Sequence, residues 1–588
     1  MTQDTDPRRI SLAWLARFAD ALCAGDSSTT TTLFHPDGWF RDALALSWQF
    51  RSLEGSAKIR QYLADKLKPG YITDVKHYED AWIRPAFYAA GKYGKGIELA
   101  FSYETPVAHG KGVARLVWEP LSEQWKALSV CMSITDLTGH EAIDHELGIY
   151  GGHTLAWADV AAERRAEVEA SPQVLIIGAG HTGLMAAAAC KQQNIRALVI
   201  ERHERVGDLW RKRYPTLVLH TTRRQNELLY QPYPTSWPEF IAKDKYADWL
   251  ESYVTFQDLV VWTNSQMDGH PVYHDETRSW DVTINQNGHT IIVHPTHIVM
   301  ATGALGQPFL PNLPGRNLFP GRVCHGAHYQ GGPSYAGERI VVVGAGNTAI
   351  DICQDLCFHK AKSVTMVQRS VTCVIDGETS ARLGRKIWAD EAPSEVGDLR
   401  FTSLPLGLFK KMQQDRVHEM WEQDAPMFEK LKKGGLELYM GPENEGSLML
   451  VLETGGGYWQ DKGGADLIGR GDIKVKQGTT PVEFTANGLL FADGSTLEAD
   501  SIVFATGYSP MREYATKLFG EDTLRRVREG ALYGVNKEGE YNFTHKPTGH
   551  PGLWFGAGGV LIARPMARQL ALQLKAIELG LMPAEGQQ

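Results

Sequence analysis

Apolar spacing divides the chain into two textures. Over Ser11–Cys23 the residues Leu12, Leu15, Phe18 and Leu22 recur at three- and four-residue steps, which predicts an amphipathic helix. A polar break follows at Gly25–Thr32, and a second helix is expected over Ala57–Lys66. Beyond it, runs such as Ile97–Tyr103 and Val113–Trp118 have strand character. Helices followed by antiparallel strands predict an α+β unit over residues 1–150. Residues 151–172 carry charged helix formers into a Ser171-Pro172 break and read as a linker.

From Gln173 short β-branched runs alternate with glycine turns and helices. The runs are Val174–Ile177, Ala197–Ile200, Ile298–Ala301, Ile340–Val343, Val364–Val367 and Ile502–Ala505. Near-continuous apolar strands of this length are those of parallel sheets covered on both faces. The β-turn-α order predicts a doubly wound α/β fold. One whole dinucleotide-binding unit recurs, beginning at Val174 and again at Ile340.

Composition mainly excludes. The 588 residues are 43% hydrophobic and 22% charged, with a net charge of −9 and no long like-charge run. That argues against a nucleic-acid partner. No apolar stretch approaches the ~20 residues of a membrane span, and the first residues do not read as a secretory signal. The seven cysteines are scattered without a C-x-x-C pair, which fits a reducing, cytoplasmic setting.

The first glycine loop, VLIIGAGHTGL, places Gly178, Gly180 and Gly183 between a strand and an Ala-rich helix. The glycines serve a tight turn, close backbone approach to pyrophosphate, and helix–strand packing, and the helix N-terminus faces the phosphates. Three glycines at these offsets arise by chance roughly once per thousand windows at this glycine content, so context decides. The next strand ends in Glu201, where an acid binds a ribose 2′-OH. In the second loop, IVVVGAGNTAI, Gly344, Gly346 and Ala349 take the same places. Its following strand ends in Arg369 and Ser370, a cation suited to the 2′-phosphate of NADP(H). Unlike sites on one chain imply FAD plus NADPH. IVMATG (Thr302, Gly303) and IVFATGY (Thr506, Gly507) would be the crossings around an NADPH domain inserted in the FAD domain. The expected division is FAD domain 173–330, NADPH domain 331–505 and FAD domain again 506–588.

The run Phe319-x-Gly321-x3-His325-x3-Tyr329 between the two loops resembles the fingerprint of class B flavin monooxygenases. The segments GDLWRKRYPTLVLHT and SWPEF resemble the YUCCA-type branch, and the likeness covers about residues 172–585. It implies that Gly178, Gly180, Gly183, Glu201, Arg202, Leu209, Trp210, Thr302 and Gly303 hold FAD. Likewise it implies Gly344, Gly346, Asn347, Thr348, Ala349, Arg369 and Ser370 for NADPH, with Thr506 and Gly507 at the return crossing. His325 and Tyr329 would lie in the inter-domain linker and position the nicotinamide. His220 stands where relatives place a residue near the flavin, with packing the favoured role. Gln330 departs from the usual residue after the aromatic. The implied activity is transfer of one oxygen atom from O₂, through a C4a-(hydro)peroxyflavin, to a small organic molecule.

Within the first unit, LFHPDGWFRDALALSW resembles the cone-shaped SnoaL-like fold. There, a lid or subunit contact, and so a homodimer, is preferred to catalysis by His35, Asp37, Arg41 and Asp42. A single helix over Leu408–Lys433 is expected to cover the NADPH sheet, and a strand and turn at Trp554–Gly559 to precede a C-terminal helix. Arg564 and Arg568 of that helix are candidate flavin contacts or plain surface charges. Cys353 and Cys357 read as packing residues. Two competing functions are a flavin reductase or oxidase without oxygen transfer, and a nucleotide-sensing scaffold.

Overall fold

The computed structural model describes residues 6–79, 82–143 and 145–584. Helix α1 (Pro7–Cys23) starts under an Asp6 cap with Pro7 in its first turn. The expected polar break is instead helix α2 (Ser27–Thr32), capped by Asp26. Its threonine hydroxyls bond back to the preceding turn, Thr30 to Asp26 O at 2.7 Å and Thr31 to Ser27 O at 2.6 Å. A polar sequence thus stays helical.

Strands β1 (Phe34–Ala43) and β2 (Phe50–Glu54), helix α3 (Ser56–Lys66), and strands β3 (Thr73–His77), β4 (Ala86–Ala89), β5 (Lys95–Glu104), β6 (Ala108–Glu119) and β7 (Gln124–Leu137) complete the first unit. They form one seven-stranded sheet, ordered β2-β1-β7-β6-β5-β3 with β4 beside β5. The pairing of β1 with β7 is parallel, and the others are antiparallel. The three helices close over an aromatic core that includes Trp14, Phe18, Phe40 and Phe101.

Helix α4 (Trp157–Ala170) leads to strand β8 (Val174–Ile177), helix α5 (His181–Gln192) and strand β9 (Ala197–Ile200). After the short helix α6 (Asp208–Arg211) and helix α7 (Lys243–Phe256) come β10 (Val260–Trp262) and a small antiparallel sheet. That sheet comprises β11 (Ser265–Met267), β12 (Val272–His274), β13 (Ser279–Gln286) and β14 (His289–Val293). Strand β15 (His297–Met300) returns to the larger sheet, whose parallel order is β10-β9-β8-β15 with β26 (Leu553–Phe555) at the edge.

Strand β16 (Arg322–His325) begins a second parallel sheet, which continues with β17 (Arg339–Val343), helix α8 (Asn347–Phe358) and β18 (Ser363–Gln368). Then follow β19 (Cys373–Asp376), helices α9 (Gly377–Ile387), α10 (Ser394–Thr402), α11 (Leu406–Asp415), α12 (Val417–Gln423), α13 (Ala425–Lys433) and α14 (Gly446–Glu453), strand β20 (Tyr458–Asp461), α15 (Gly464–Arg470) and β21 (Ile473–Gln477). A three-stranded sheet, β22 (Pro481–Thr485), β23 (Gly488–Phe491) and β24 (Thr496–Glu498), precedes β25 (Ser501–Phe504). The second sheet is ordered β16-β25-β17-β18-β21. Helix α16 (Met511–Arg525), strand β26 (Leu553–Phe555) and helix α17 (Val560–Glu578) complete the first sheet and pack α17 on α5. The chain therefore leaves one parallel sheet at β15, builds another, and returns from β25.

The single helix expected over Leu408–Lys433 is three helices. They break at Arg416 and Asp424, and Pro426 opens the third. Their apolar residues serve two cores: Met427 and Leu431 pack under the second sheet, whereas Leu408 packs against Trp39 of the N-terminal sheet. A further shared core joins Leu44, Phe50, Ile134 and Leu137 to Met449, Tyr541, Ile562 and Met566. The N-terminal unit is thereby docked on both the inserted helices and α17.

Candidate functional site

Both glycine loops run in close contact with neighbouring backbone. Gly178 has φ +106°, and a Cβ there would lie 2.7 Å from Ala301 O. At Gly183 it would lie 2.0 Å from Gly178 O, because α5 crosses the loop at backbone contact. At Gly180 it would meet nothing within 4 Å. The second loop repeats the pattern: Gly344 has φ +131° and a Cβ would be 2.3 Å from Ala505 O, while at Gly346 it would meet only Tyr458 O at an ordinary 3.7 Å. Ala349 takes the place of the third glycine and is fully buried. The outer glycines of the first loop and Gly344 of the second are required by the protein's own packing, whereas both central glycines leave room for a Cβ.

Glu201 lies on the first loop: its carboxylate accepts from Ala179 N at 3.0 Å and His203 N at 2.9 Å. Arg202 beside it is exposed, Leu209 is 50% exposed, and Trp210 sits edge-on to Tyr246 at 5.0 Å. Thr302 has a buried hydroxyl with no partner, and Gly303 adopts φ +103°. On the second sheet, Arg369 and Ser370 are exposed at the end of β18, and Arg369 makes no ion pair among the described residues. Thr348 and Asn347 open α8, with Asn347 Oδ1 accepting from Gln460 N at 3.1 Å.

The two crossings are hydrogen-bonded to each other. Phe309 N donates to Gly507 O at 3.0 Å, Ser509 N to Gln307 O at 2.8 Å, and Thr506 Oγ1 to Phe309 O at 2.5 Å. His325 joins this pair of crossings. Its Nε2 donates to Gly507 O at 2.9 Å, and its Nδ1 accepts from Ala327 N at 3.0 Å. Burial lowers its pKa below the usual histidine range and keeps the ring neutral. Tyr329 is fully buried and donates to Asp355 Oδ2 on α8 at 2.8 Å. The same oxygen accepts from Gly332 N at 2.7 Å, so Tyr329 pins the linker to α8.

His220 does not simply pack. Its Nδ1 lies 3.1 Å from Asn347 Oδ1 and its Nε2 3.2 Å from Asp351 Oδ2. Tyr214 OH donates to the same Asp351 oxygen at 2.7 Å. Asp351, Tyr214 and Gln460 escaped the reading of the sequence, although Asn347 and Asp351 are four apart and share one face of α8. His181, inside the first loop, was also missed; its Nε2 donates to Gly558 O at 3.0 Å, tying the loop to the turn before α17.

Arg564 is a correction. It is neither a flavin contact nor a surface charge, but a fully buried residue in a bidentate pair with Asp398 of α10, at 2.7 and 2.6 Å. Arg568 is half-buried, over the Tyr230 ring at 5.1 Å and beside Glu395, 3.3 Å away. In the N-terminal unit, Arg41 and Asp42 are consecutive in β1 and point to opposite faces, so the set His35, Asp37, Arg41 and Asp42 is not brought together. Asp42 instead fastens the following loop, accepting from Ala45 N at 2.7 Å and from Tyr62 OH at 2.5 Å.

Residues 175–385 match the family model described as pyridine nucleotide-disulphide oxidoreductase. The probable indole-3-pyruvate monooxygenase YUCCA4 of Arabidopsis thaliana is 28% identical over 339 residues, covering 57% of this chain and 75% of the relative. The indole-3-pyruvate monooxygenase YUCCA1 of Oryza sativa subsp. japonica is 29% identical over 338 residues, covering 57% and 77%. Among solved structures, cyclohexanone monooxygenase bound to ε-caprolactone superposes with a TM-score of 0.51 at 17% identity, covering 70% of this chain and 88% of that one. These likenesses give the chain the fold of the two-dinucleotide flavoprotein class. Within that class it is related to the YUCCA-type flavin monooxygenases, as its motifs implied. All seven cysteines are unpaired, and burial raises the thiol pKa of Cys353 and of Cys357. Among the described residues no helix is long and apolar enough to cross a membrane.

Proposed function

We propose that the protein is an NADPH- and FAD-dependent monooxygenase that places one atom of O₂ into a small organic substrate and releases the other as water. The observation that carries this reading is the pair of glycine loops on two interleaved parallel sheets. Each has a central glycine with room for a Cβ, one is followed by an acid and the other by a free cation. FAD, when bound, supplies electron transfer from NADPH to O₂ and the oxygen transfer itself.

The chain's residues supply binding and exclusion. Gly180 leaves room for the FAD pyrophosphate, Glu201 has carboxylate lone pairs for a ribose hydroxyl, and the unpartnered Thr302 hydroxyl gives a donor where the crossing meets the cofactor. Gly346 and the first turn of α8 take the NADPH pyrophosphate, and Arg369 takes the 2′-phosphate. His325 and Tyr329 act as positioning residues, His325 on the crossing at Gly507 and Tyr329 on α8. The division into an FAD domain (173–330 and 506–588) around an NADPH domain (331–505) belongs to this proposal. So do a SnoaL-like N-terminal domain acting as a brace and a cytoplasmic setting, which the seven unpaired thiols suit. The brace role is supported by its apolar contacts with α17 and the inserted helices, faces that a homodimer could not also use.

The test is mass spectrometry under ¹⁸O₂ across amines, sulfides, ketones and 2-oxo acids. One ¹⁸O per NADPH in an organic product is expected. Hydrogen peroxide equal to NADPH consumed, with every substrate, contradicts oxygen transfer and leaves the oxidase reading.

A further inference from the structure

His220 closes a polar cluster that spans the two nucleotide-binding sheets. We propose that it is a doubly protonated clasp, holding the segment 214–220 of the FAD side against the first turns of α8, so that NADP(H) binding weakens when the ring loses a proton. This rests on the two-nucleotide reading above.

The donor count decides the charge. The backbone N–H of Gln460 donates to Asn347 Oδ1 at 3.1 Å, which fixes the orientation of that amide. The same oxygen lies 3.1 Å from His220 Nδ1, so Nδ1 must carry a hydrogen. On the other side Asp351 Oδ2, already accepting from Tyr214 OH, lies 3.2 Å from Nε2. A carboxylate can only accept, and a neutral imidazole has one N–H. Two acceptors at the two ring nitrogens therefore require the imidazolium.

The surroundings agree. Asp351 faces the ring from α8, Tyr214 from its own segment, and Lys462 from the turn after β20. Burial opposes the charge and so does Lys462, but hydrogen bonding and attraction from Asp351, with Asn347, outweigh them and raise the pKa above the usual histidine range. Lys462 is partly spent elsewhere, over the Phe240 ring at 3.4 Å.

Asn347 and Asp351 are the first and fifth residues of α8. The N–H groups of that helix end are the ones a pyrophosphate would use. A clasp on this turn fixes where they point, and its charge adds to the positive end of the helix. Loss of one proton sets a ring lone pair against an acceptor, and the clasp slackens.

The test uses the FAD-loaded full chain and two readouts. In ¹⁵N-histidine NMR, with His220→Gln identifying the resonance, both ring nitrogens of His220 should be protonated at about pH 7; a single neutral tautomer there overturns the proposal. Calorimetry of NADP⁺ across the pH range in which that resonance loses its proton should show affinity falling roughly tenfold, the weight of one charge-assisted hydrogen bond. His220→Gln should bind more weakly at the lower pH and show no trend, and Asp351→Asn should move the wild-type trend to lower pH. Parallel profiles for wild type and His220→Gln overturn the proposal. If NADP⁺ binds the wild type at no pH, the two-nucleotide reading fails, while the ring's proton count is still read by NMR.

Discussion

Arg41 and Glu540 lie 499 residues apart and meet in a bidentate pair, with Nε to Oε1 at 2.7 Å and Nη2 to Oε2 at 2.8 Å. Both side chains are buried, and Ser52 Oγ donates to the same carboxylate at 2.6 Å. Arg51 and Glu538 repeat the arrangement nearer the surface. Together they fasten the N-terminal sheet to the segment that leads into β26. Removing one partner of a buried pair strands the other charge and costs about 3–5 kcal/mol. Arg41→Ala should therefore lower the urea midpoint strongly, and Arg41→Met combined with Glu540→Leu should restore most of the loss. A single variant within about 0.5 kcal/mol of wild type contradicts the brace.

Gly180 and Gly183 separate packing from binding. Gly183→Ala drives a Cβ into the carbonyl of Gly178 and should destabilise the first sheet whether or not FAD is present. Gly180→Ala meets only open space, so its apo form should unfold within about 0.5 kcal/mol of wild type while holding FAD far more weakly. Flavin absorbance after gel filtration, read beside a denaturation curve, checks both. An intact, fully yellow Gly180→Ala would move the pyrophosphate off this loop.

Arg369 follows β18, exposed and without an ion-pair partner among the described residues, so its loss should leave stability unchanged. Arg369→Ala should raise the Michaelis constant for NADPH roughly tenfold or more, the weight of a charge-assisted bond to phosphate, and barely alter that for NADH. Equal effects on the two coenzymes would remove the 2′-phosphate from this position.

His545 is fully buried with neither ring nitrogen partnered, and burial depresses its pKa to about 3. A folded pKa below the unfolded value of roughly 6.5 means that the unfolded chain takes up a proton first. The stability linked to this ring is present above pH 6.5 and falls as pH drops, by about 1.4 kcal/mol per pH unit. His545 has φ +56°, which Asn also tolerates. Urea unfolding of His545→Asn should therefore lose about 2 kcal/mol less than wild type between about pH 6.5 and about pH 5. Equal losses would show that the ring escapes burial.

The parallel strands were legible because sheets covered on both faces leave unbroken apolar runs such as Val174–Ile177 and Ile340–Val343. The glycine loops were legible because backbone approach admits no other residue at Gly178 or Gly183. What stayed hidden depends on residues far apart in the chain. Arg564 looks like any helix cation until Asp398 is brought beneath it, and Arg41 looks like a strand-face charge until Glu540 arrives. The breaks at Arg416 and Asp424 escaped because one stretch of apolar residues feeds two different cores. His220 was visible as a polar residue in an apolar run, yet its partners sit on a helix of the other sheet.

Nucleotide stoichiometry tests the central claim most directly. The full chain, saturated with FAD and freed of excess, is titrated with NADP⁺ while flavin content is followed. The account predicts one FAD per chain that stays throughout and one exchangeable NADP⁺ beside it. A single nucleotide per chain, or NADP⁺ that binds only by displacing FAD, would contradict it.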